Sequence, residues 1–170
     1  KRKSWHPEIM NCELGMVKGN HRSNFSLSNR NFSRFIASMG QTIEIYDTTL
    51  RDGSYVNNFG FSAEQTKSLS AALDQAGVDF IEVGHGVGLN ASNRGQGKAA
   101  ETDITYMSAA AKTVKSAKWG MFAIPGMCEL AHLDGCFDHD IGFLRFGVSI
   151  DAYEKVIPFV EKAKNAGVIA

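Results

Sequence analysis

Apolar residues from Gln41 onward fall in short continuous runs that alternate with segments of helical spacing. The runs predict buried β-strands, and the segments between them predict amphipathic helices. The strands are expected at 43–47, 78–83, 119–124 and 143–148, with the start of a fifth at 168–170. The helices are expected at 63–76, from 102 or 103 to 118, at about 128–137 and at 151–166.

The first helix has the clearest boundaries of any predicted element. Ser62 is followed three residues later by Gln65, which is the spacing of a capping box at a helix N-terminus. Gly77 follows the last apolar position and is typical of a helix C-terminus.

Strand–helix alternation with continuously apolar strands predicts a parallel sheet, in an α/β fold with helices outside. Two architectures satisfy this pattern, a doubly wound open sheet and a (β/α)8 TIM barrel. A full barrel needs about 250 residues, whereas this chain of 170 residues holds only four to five βα units. We therefore expect either a small open sheet or the first part of a barrel.

Residues 1–40 differ from the rest of the chain in composition. They carry seven basic and two acidic residues, are rich in Asn and Ser, and show neither helical nor strand periodicity. Such a segment buries too little apolar surface to offset its ordering entropy, so we expect a poorly ordered leader before a folded domain at 41–170. An organelle transit sequence has the same composition, and that alternative stays open.

Charge and cysteine content narrow the class of protein. The formal net charge is zero, which gives no indication of a nucleic-acid partner. No run approaches the roughly 18 apolar residues that a membrane span requires, so no membrane partner is expected. The three cysteines form no CxxC pair, which favours a reducing, cytoplasmic location.

Polar residues gather where the predicted strands end. Arg51 and Asp52 follow the first strand, Glu82 and His85 flank the end of the second, and Ser149 follows the fourth. The carboxyl ends of parallel strands lie at one edge of a sheet, and sites in both candidate architectures lie at that edge. We therefore predict one site there, with Glu82 and Ser149 binding substrate beside Arg51.

Arg51 and Asp52 have the chemistry for binding an anionic ligand with a divalent cation. Carboxylate oxygens such as those of Asp52 suit Mg²⁺ or Mn²⁺, and the guanidinium of Arg51 suits a substrate carboxylate or enolate. A surface ion pair at a strand end is the alternative interpretation of these two residues.

Two sequence blocks resemble a known family. Asp47–Gly53 is similar to the signature of the pyruvate-aldolase, hydroxymethylglutaryl-CoA lyase and isopropylmalate synthase superfamily of metal-dependent TIM barrels. Ile81–Leu89 resembles most the 4-hydroxy-2-oxovalerate aldolase branch, and Ser92 and Thr102–Asp103 fall where that branch has them. The resemblance covers residues 42–170.

The resemblance implies a carbon–carbon lyase that cleaves a 4-hydroxy-2-oxo acid to pyruvate and an aldehyde. Asp52 would bind Mn²⁺ or Mg²⁺, and Arg51 would stabilise the pyruvate enolate. His85 is a catalytic candidate, although it is equally suited to hydrogen-bonding the backbone of its glycine-rich loop. Glu82 is also suited to pairing with an interior basic residue. The resemblance further implies a homo-oligomer or an aldehyde dehydrogenase partner.

The sequence departs from the aldolase branch at two points. Tyr55 stands where the branch has a histidine base, and a tyrosine with a pKa near 10 is a poor base at neutral pH. The branch also has a His-x-His metal motif on a later strand, beyond residue 170. We therefore expect an N-terminal fragment that is inactive alone, with Tyr55 as a catalytic candidate. An acyl-CoA-dependent condensing synthase and a non-catalytic relative remain the alternatives.

Overall fold

A computed structural model describes residues 43–170, so the predicted leader at 1–40 lies outside the described residues. The strands β1 to β4 are Tyr46–Asp47, Phe80–Glu82, Lys118–Ala123 and Phe143–Phe146. The helices α1 to α4 are Ala63–Ala76, Asp103–Thr113, His132–Phe137 and Ile157–Asn165. Three 3-10 helices lie at Asp52–Asn57, Ala91–Arg94 and Ile150–Val156.

The four strands form one parallel sheet in the order β1-β2-β3-β4. Sequential order is expected when each strand is followed by a crossover that returns the chain to the same edge. A fifth strand begins where the sequence predicts it, because Ile169 forms a parallel bridge with Phe143. The result is the α/β arrangement of a partial barrel, with four βα units and the start of a fifth.

The first helix begins and ends as the sequence predicts. The Ser62 hydroxyl accepts the Gln65 N–H at 3.2 Å, and the Gln65 side chain accepts the Ser62 N–H at 2.9 Å. Gly77 follows α1 in the left-handed region with a φ of 84°. The predicted capping box and glycine stop are both confirmed.

The second helix ends earlier than predicted, at Thr113 instead of 118. The carboxylate of Asp74, on α1, accepts the backbone N–H groups of Lys115, Ser116 and Ala117 at 2.9, 2.9 and 2.6 Å. The Asp74 carboxylate thus accepts from N–H groups that a longer helix would bond internally, and the chain leaves α2 and enters β3.

The last predicted helix is two elements. Ile150–Val156 is a 3-10 helix interrupted by Ala152, whose φ of −131° is not helical, and α4 begins only at Ile157. Proline is favoured in the first turn of a helix, and Pro158 lies there in α4. The third helix is also shorter than predicted and begins at His132.

The hydrophobic core lies between the sheet and the helices. Ile81, Met121 and Leu144 are buried on the helical side of the sheet, together with Met107 and Leu133 from the helices. Among residues 43–170, no helix is long and apolar enough to cross a membrane.

The opposite face of the sheet carries aromatic and polar side chains. The rings of Tyr46, Phe80 and Phe143 contact one another, with centroids 5.2 to 5.9 Å apart. They also line part of a groove of about 470 Å³, whose other walls come from β4, α4 and the segment after α4. Glu82 and Arg145 follow Phe80 and Phe143 by two residues, so they lie on the same face, nearer the carboxyl ends of the strands.

Candidate active site

A tight turn after β1 presents Arg51 and Asp52 at the carboxyl edge of the sheet. The Thr48 carbonyl accepts the backbone N–H groups of Arg51 and Asp52 at 3.1 and 2.7 Å. Asp47 stabilises the same turn, because its carboxylate accepts the backbone N–H and the hydroxyl of Thr49 at 2.9 and 3.0 Å. Asp47 therefore has a local structural role in this motif.

Glu82 is the centre of a buried hydrogen-bond network. Its side chain is fully buried and accepts the Nε of Arg51 at 2.6 Å and the Tyr46 hydroxyl at 2.8 Å. Arg145 donates two further bonds, from Nε at 2.9 Å and from Nη2 at 2.7 Å. Both oxygens of the buried carboxylate thus accept hydrogen bonds, from donors on β1, on the turn after β1 and on β4.

The network determines the protonation state of Glu82. Burial alone would raise the pKa of Glu82, but the hydrogen bonds from Arg145, Tyr46 and Arg51 outweigh burial and lower it. The same bonds to Glu82 raise the pKa of Arg145. Burial, and then the charge of Glu82, raise the pKa of Tyr46. Glu82 is therefore ionised and Tyr46 is a neutral donor at physiological pH.

Arg51 links this network to the site surface. Its Nη1 donates to Oδ1 of Asp52 at 2.7 Å and to the Gly86 carbonyl at 3.2 Å. Its Cζ lies 5.1 Å from the centroid of the Phe122 ring. Within the described residues, no hydrogen bond joins Nη2 to an acceptor, so this nitrogen is available to an anionic ligand.

Asp52 faces solvent at the mouth of the site. Its side chain is 59% exposed and is held on one side by Arg51. The carboxylate suits a hard divalent cation as one ligand. Between residues 43 and 170, no group of three His, Cys, Asp or Glu side chains is placed to hold a metal ion.

Tyr55 lies over the glycine-rich loop beside Arg51. Its side chain is half exposed and packs edge-on against Phe59, with ring centroids 5.2 Å apart. A Cβ on Gly86 would lie 2.9 Å from the Tyr55 ring and 2.8 Å from the Phe59 ring. Only glycine fits at position 86 without displacing these rings, and the Gly86 carbonyl then reaches Arg51.

His85 is buried and uses both ring nitrogens within the loop. The Val87 N–H donates to Nδ1 at 3.0 Å, and Nε2 lies 3.1 Å from the Gly97 carbonyl. Because Nδ1 accepts a hydrogen bond, Nε2 carries the ring proton and donates it in a hydrogen bond to the Gly97 carbonyl. The ring also stacks on Phe59 with a centroid separation of 4.0 Å. This geometry matches the backbone-bonding alternative for His85.

Described contacts involve five of the six predicted site residues, Arg51, Asp52, Tyr55, Glu82 and His85, and none of these contacts includes Ser149. Ser149 is exposed and precedes the 3-10 helix Ile150–Val156, and no described hydrogen bond connects its side chain to Arg51 or Glu82. Tyr46 and Arg145 are the two network residues that sequence reasoning did not identify. The available signal was the arginine inside the apolar run 143–148, since pairing with an interior basic residue was one of the alternatives for Glu82.

These features define the class of protein. It is a parallel α/β protein of the barrel type, with a site of one arginine and two carboxylates at the carboxyl edge of its strands. A family model described as HMGL-like matches residues 42–146. The chain belongs to this HMGL-like family of TIM barrels.

Curated relatives match the same part of the chain. An oxaloacetate decarboxylase from Mycobacterium tuberculosis is 39% identical over 123 residues, covering 72% of this chain and 36% of the relative. The 4-hydroxy-2-oxovalerate aldolase 2 of Rhodococcus jostii is 38% identical over 129 residues, covering 76% and 38%. The 4-hydroxy-2-oxovalerate aldolase of Pelotomaculum thermopropionicum is 48% identical over 85 residues, covering 50% and 25%. The matched part of the chain thus spans between a quarter and about two fifths of the length of these relatives.

Proposed function

We propose that this chain forms part of a metal-dependent carbon–carbon lyase that cleaves a 4-hydroxy-2-oxo acid to pyruvate and an aldehyde. One observation carries the proposal. Arg51 is anchored through Nε and Nη1, leaves Nη2 open, and lies beside the exposed carboxylate of Asp52. A preorganised cationic donor next to a hard oxygen ligand is the arrangement that stabilises a developing enolate. The aldolases among the relatives support the same reaction.

Each residue has a defined part in this proposal. A divalent cation, Mn²⁺ or Mg²⁺, would supply Lewis-acid polarisation of the 2-oxo group, with Asp52 as one of its ligands. Arg51 would bind the enolate oxygen or the adjacent carboxylate, and Glu82 would hold Arg51 in that orientation. His85 would maintain the loop that carries Gly86. Tyr55, half exposed beside this loop, would hydrogen-bond a substrate hydroxyl.

Tyr55 favours a second candidate, the decarboxylation of oxaloacetate. Aldol cleavage requires a base that removes the proton of the 4-hydroxyl group, and a phenol is a poorer general base than the histidine that the aldolase branch has at this position. Decarboxylation needs no such base. The bond between C3 and the C4 carboxylate breaks, CO₂ leaves, and the electron pair remains as the pyruvate enolate. The 39% identical oxaloacetate decarboxylase supports this candidate.

The described carboxylates supply one candidate metal ligand, so we propose that turnover needs residues beyond this segment and that 1–170 alone is inactive. The substrate is proposed to be a small 2-oxo acid.

The proposed location is a reducing one, the cytoplasm. Cys128 and Cys136 are buried free thiols, which agrees with that proposal.

An assay of pyruvate release tests the proposal. The full protein that carries this sequence is incubated with a 4-hydroxy-2-oxo acid or with oxaloacetate, in Mn²⁺, Mg²⁺ or EDTA. We expect metal-dependent release from at least one substrate, after subtraction of the protein-free metal rate. Release from the hydroxy acid supports the aldolase, and release from oxaloacetate alone supports the decarboxylase. Absence of metal-dependent release from both substrates would overturn the proposal.

A further inference from the structure

Arg51 is flanked by more negative charge than it can neutralise. Its Nε contacts Glu82 at 2.6 Å and its Nη1 contacts Asp52 at 2.7 Å. One guanidinium between two carboxylates leaves a net charge of −1. A 2-oxo acid is an anion, and its enolate carries a further negative charge. Arg51 and its two carboxylates alone would therefore repel the proposed substrate.

Arg145 corrects this imbalance from the fourth strand. It donates two bonds to Glu82, and its Nη2 lies 2.7 Å from the same oxygen that Arg51 contacts. Tyr46 adds a hydrogen bond to Glu82 without adding charge. The four ionised groups then sum to zero before Asp52 binds a cation.

The ring of Phe122 holds the two guanidinium groups side by side. The Cζ atoms of Arg51 and Arg145 lie 5.1 and 4.3 Å from the ring centroid, which is within the range of cation–π contacts. These contacts add to the hydrogen bonds that direct both guanidinium groups at Glu82. The positive charge of Arg145 is consequently kept close to Arg51.

We propose that Arg145 is a positioning residue that balances the charge of Glu82 and thereby keeps Arg51 a cationic anchor for the anionic group of a 2-oxo acid. The inference rests on the proposed function, because it takes its ligand from that function. It adds a charge requirement that neither Arg51 nor Asp52 meets alone.

Paired ligands separate this role from a purely structural one. Pyruvate is an anion, and pyruvamide is its neutral isostere. Binding of both to the full protein is measured by NMR titration in the presence of Mg²⁺. We expect Arg145→Met to weaken pyruvate binding by about 10- to 100-fold and to change pyruvamide binding much less. Arg145→Lys should recover part of the loss, because it restores the charge without the planar fork.

Two variants serve as controls for the network. Tyr46→Phe removes one hydrogen bond to Glu82 and no charge, so the ratio of pyruvate to pyruvamide affinity should stay near that of the parent. The double variant Arg145→Met with Glu82→Gln restores neutrality and should recover part of the pyruvate preference that Arg145→Met loses. Thermal melts of each variant establish that it is folded.

The outcomes distinguish the inference from the proposed function. Equal losses for pyruvate and pyruvamide, or no loss in Arg145→Met, would overturn the inference even if the parent releases pyruvate from a substrate. A selective loss of pyruvate binding in a protein that turns over neither substrate would support the inference and reject the function. Failure of the parent to prefer pyruvate over pyruvamide would overturn the charge requirement directly.

Discussion

Glu82 and Arg145 are joined by hydrogen bonds of 2.9 and 2.7 Å although 63 residues separate them in the chain. Glu82 ends β2 and Arg145 lies on β4, with β3 between them. The pair therefore spans three strands and holds the carboxyl edge of the sheet together below the candidate site. Removing Glu82 takes the buried carboxylate partner from the Arg51 guanidinium, whose side chain is only 10% exposed, and breaking a buried pair in this way is strongly destabilising.

Substitution Glu82→Gln should lower the free energy of unfolding by about 3 kcal/mol at pH 7. The amide NH₂ would face a guanidinium, Arg145 would lose its ion-pair partner, and Arg51 would keep only Asp52. Denaturant titration measures the effect. Glu64→Gln is the matched control, because Glu64 is 80% exposed and forms a surface ion pair with Lys67, so a change within about 0.5 kcal/mol is expected.

The cost of Glu82→Gln should depend on pH. The pKa of Glu82 is lowered in the folded state below its ordinary value of 4.5. A group with a depressed folded pKa stabilises the fold fully above its unfolded pKa and loses that contribution as pH falls through the folded value. The difference between parent and variant should thus be constant near neutrality and shrink below about pH 4.5. A difference that grows on acidification would contradict the ionised assignment.

A glycine comparison tests the packing of the loop after β2. Gly88 has a φ of +111°, and a Cβ there would lie 2.7 Å from the Phe122 carbonyl oxygen. We expect Gly88→Ala to destabilise by about 3 kcal/mol or more, from strain and overpacking together. Gly95 has a φ of +74° and open space around it, so Gly95→Ala should cost only about 1–2 kcal/mol. Equal melting temperatures for the two variants would contradict the described contact.

His85 should carry its proton on Nε2 in the folded protein. The Val87 N–H donates to Nδ1, and Nε2 donates to Gly97. Nitrogen-15 NMR of the imidazole distinguishes the two tautomers by the shift of the unprotonated nitrogen. A signal from unprotonated Nε2 would mean that His85 is available as a base toward a ligand, and the backbone-bonding role would be wrong.

The sequence was informative wherever local pattern determines structure. Ser62, Gln65 and Gly77 set the limits of α1, and apolar runs located every strand within a few residues. Arg51, Asp52 and Glu82 were predicted to lie at the carboxyl edge of the sheet because each stands at or just after the end of a predicted strand. These features depend on neighbours in sequence, so they can be inferred without knowing the fold.

The remaining features depend on contacts between distant residues. Asp74 ends α2 through three backbone bonds more than 40 positions away. Arg145 meets Glu82 only because β2, β3 and β4 are neighbours in a particular register. The path of the loop from Gly84 to Gly97 decides whether His85 bonds backbone or faces a ligand. Sequence pattern alone gives neither the strand register nor these long-range contacts.

Pyruvate release by Asp52→Asn in the full protein, at saturating Mn²⁺, shows whether the Asp52 carboxylate takes part in turnover. Asparagine keeps the size of the side chain and removes its charge, so we predict a loss of about 100-fold or more. Asp138→Asn is the control, since Asp138 is exposed and lies at the C-terminal end of α3, away from the carboxyl edge, and its rate should match the parent. An Asp52→Asn rate equal to the parent rate would contradict the account.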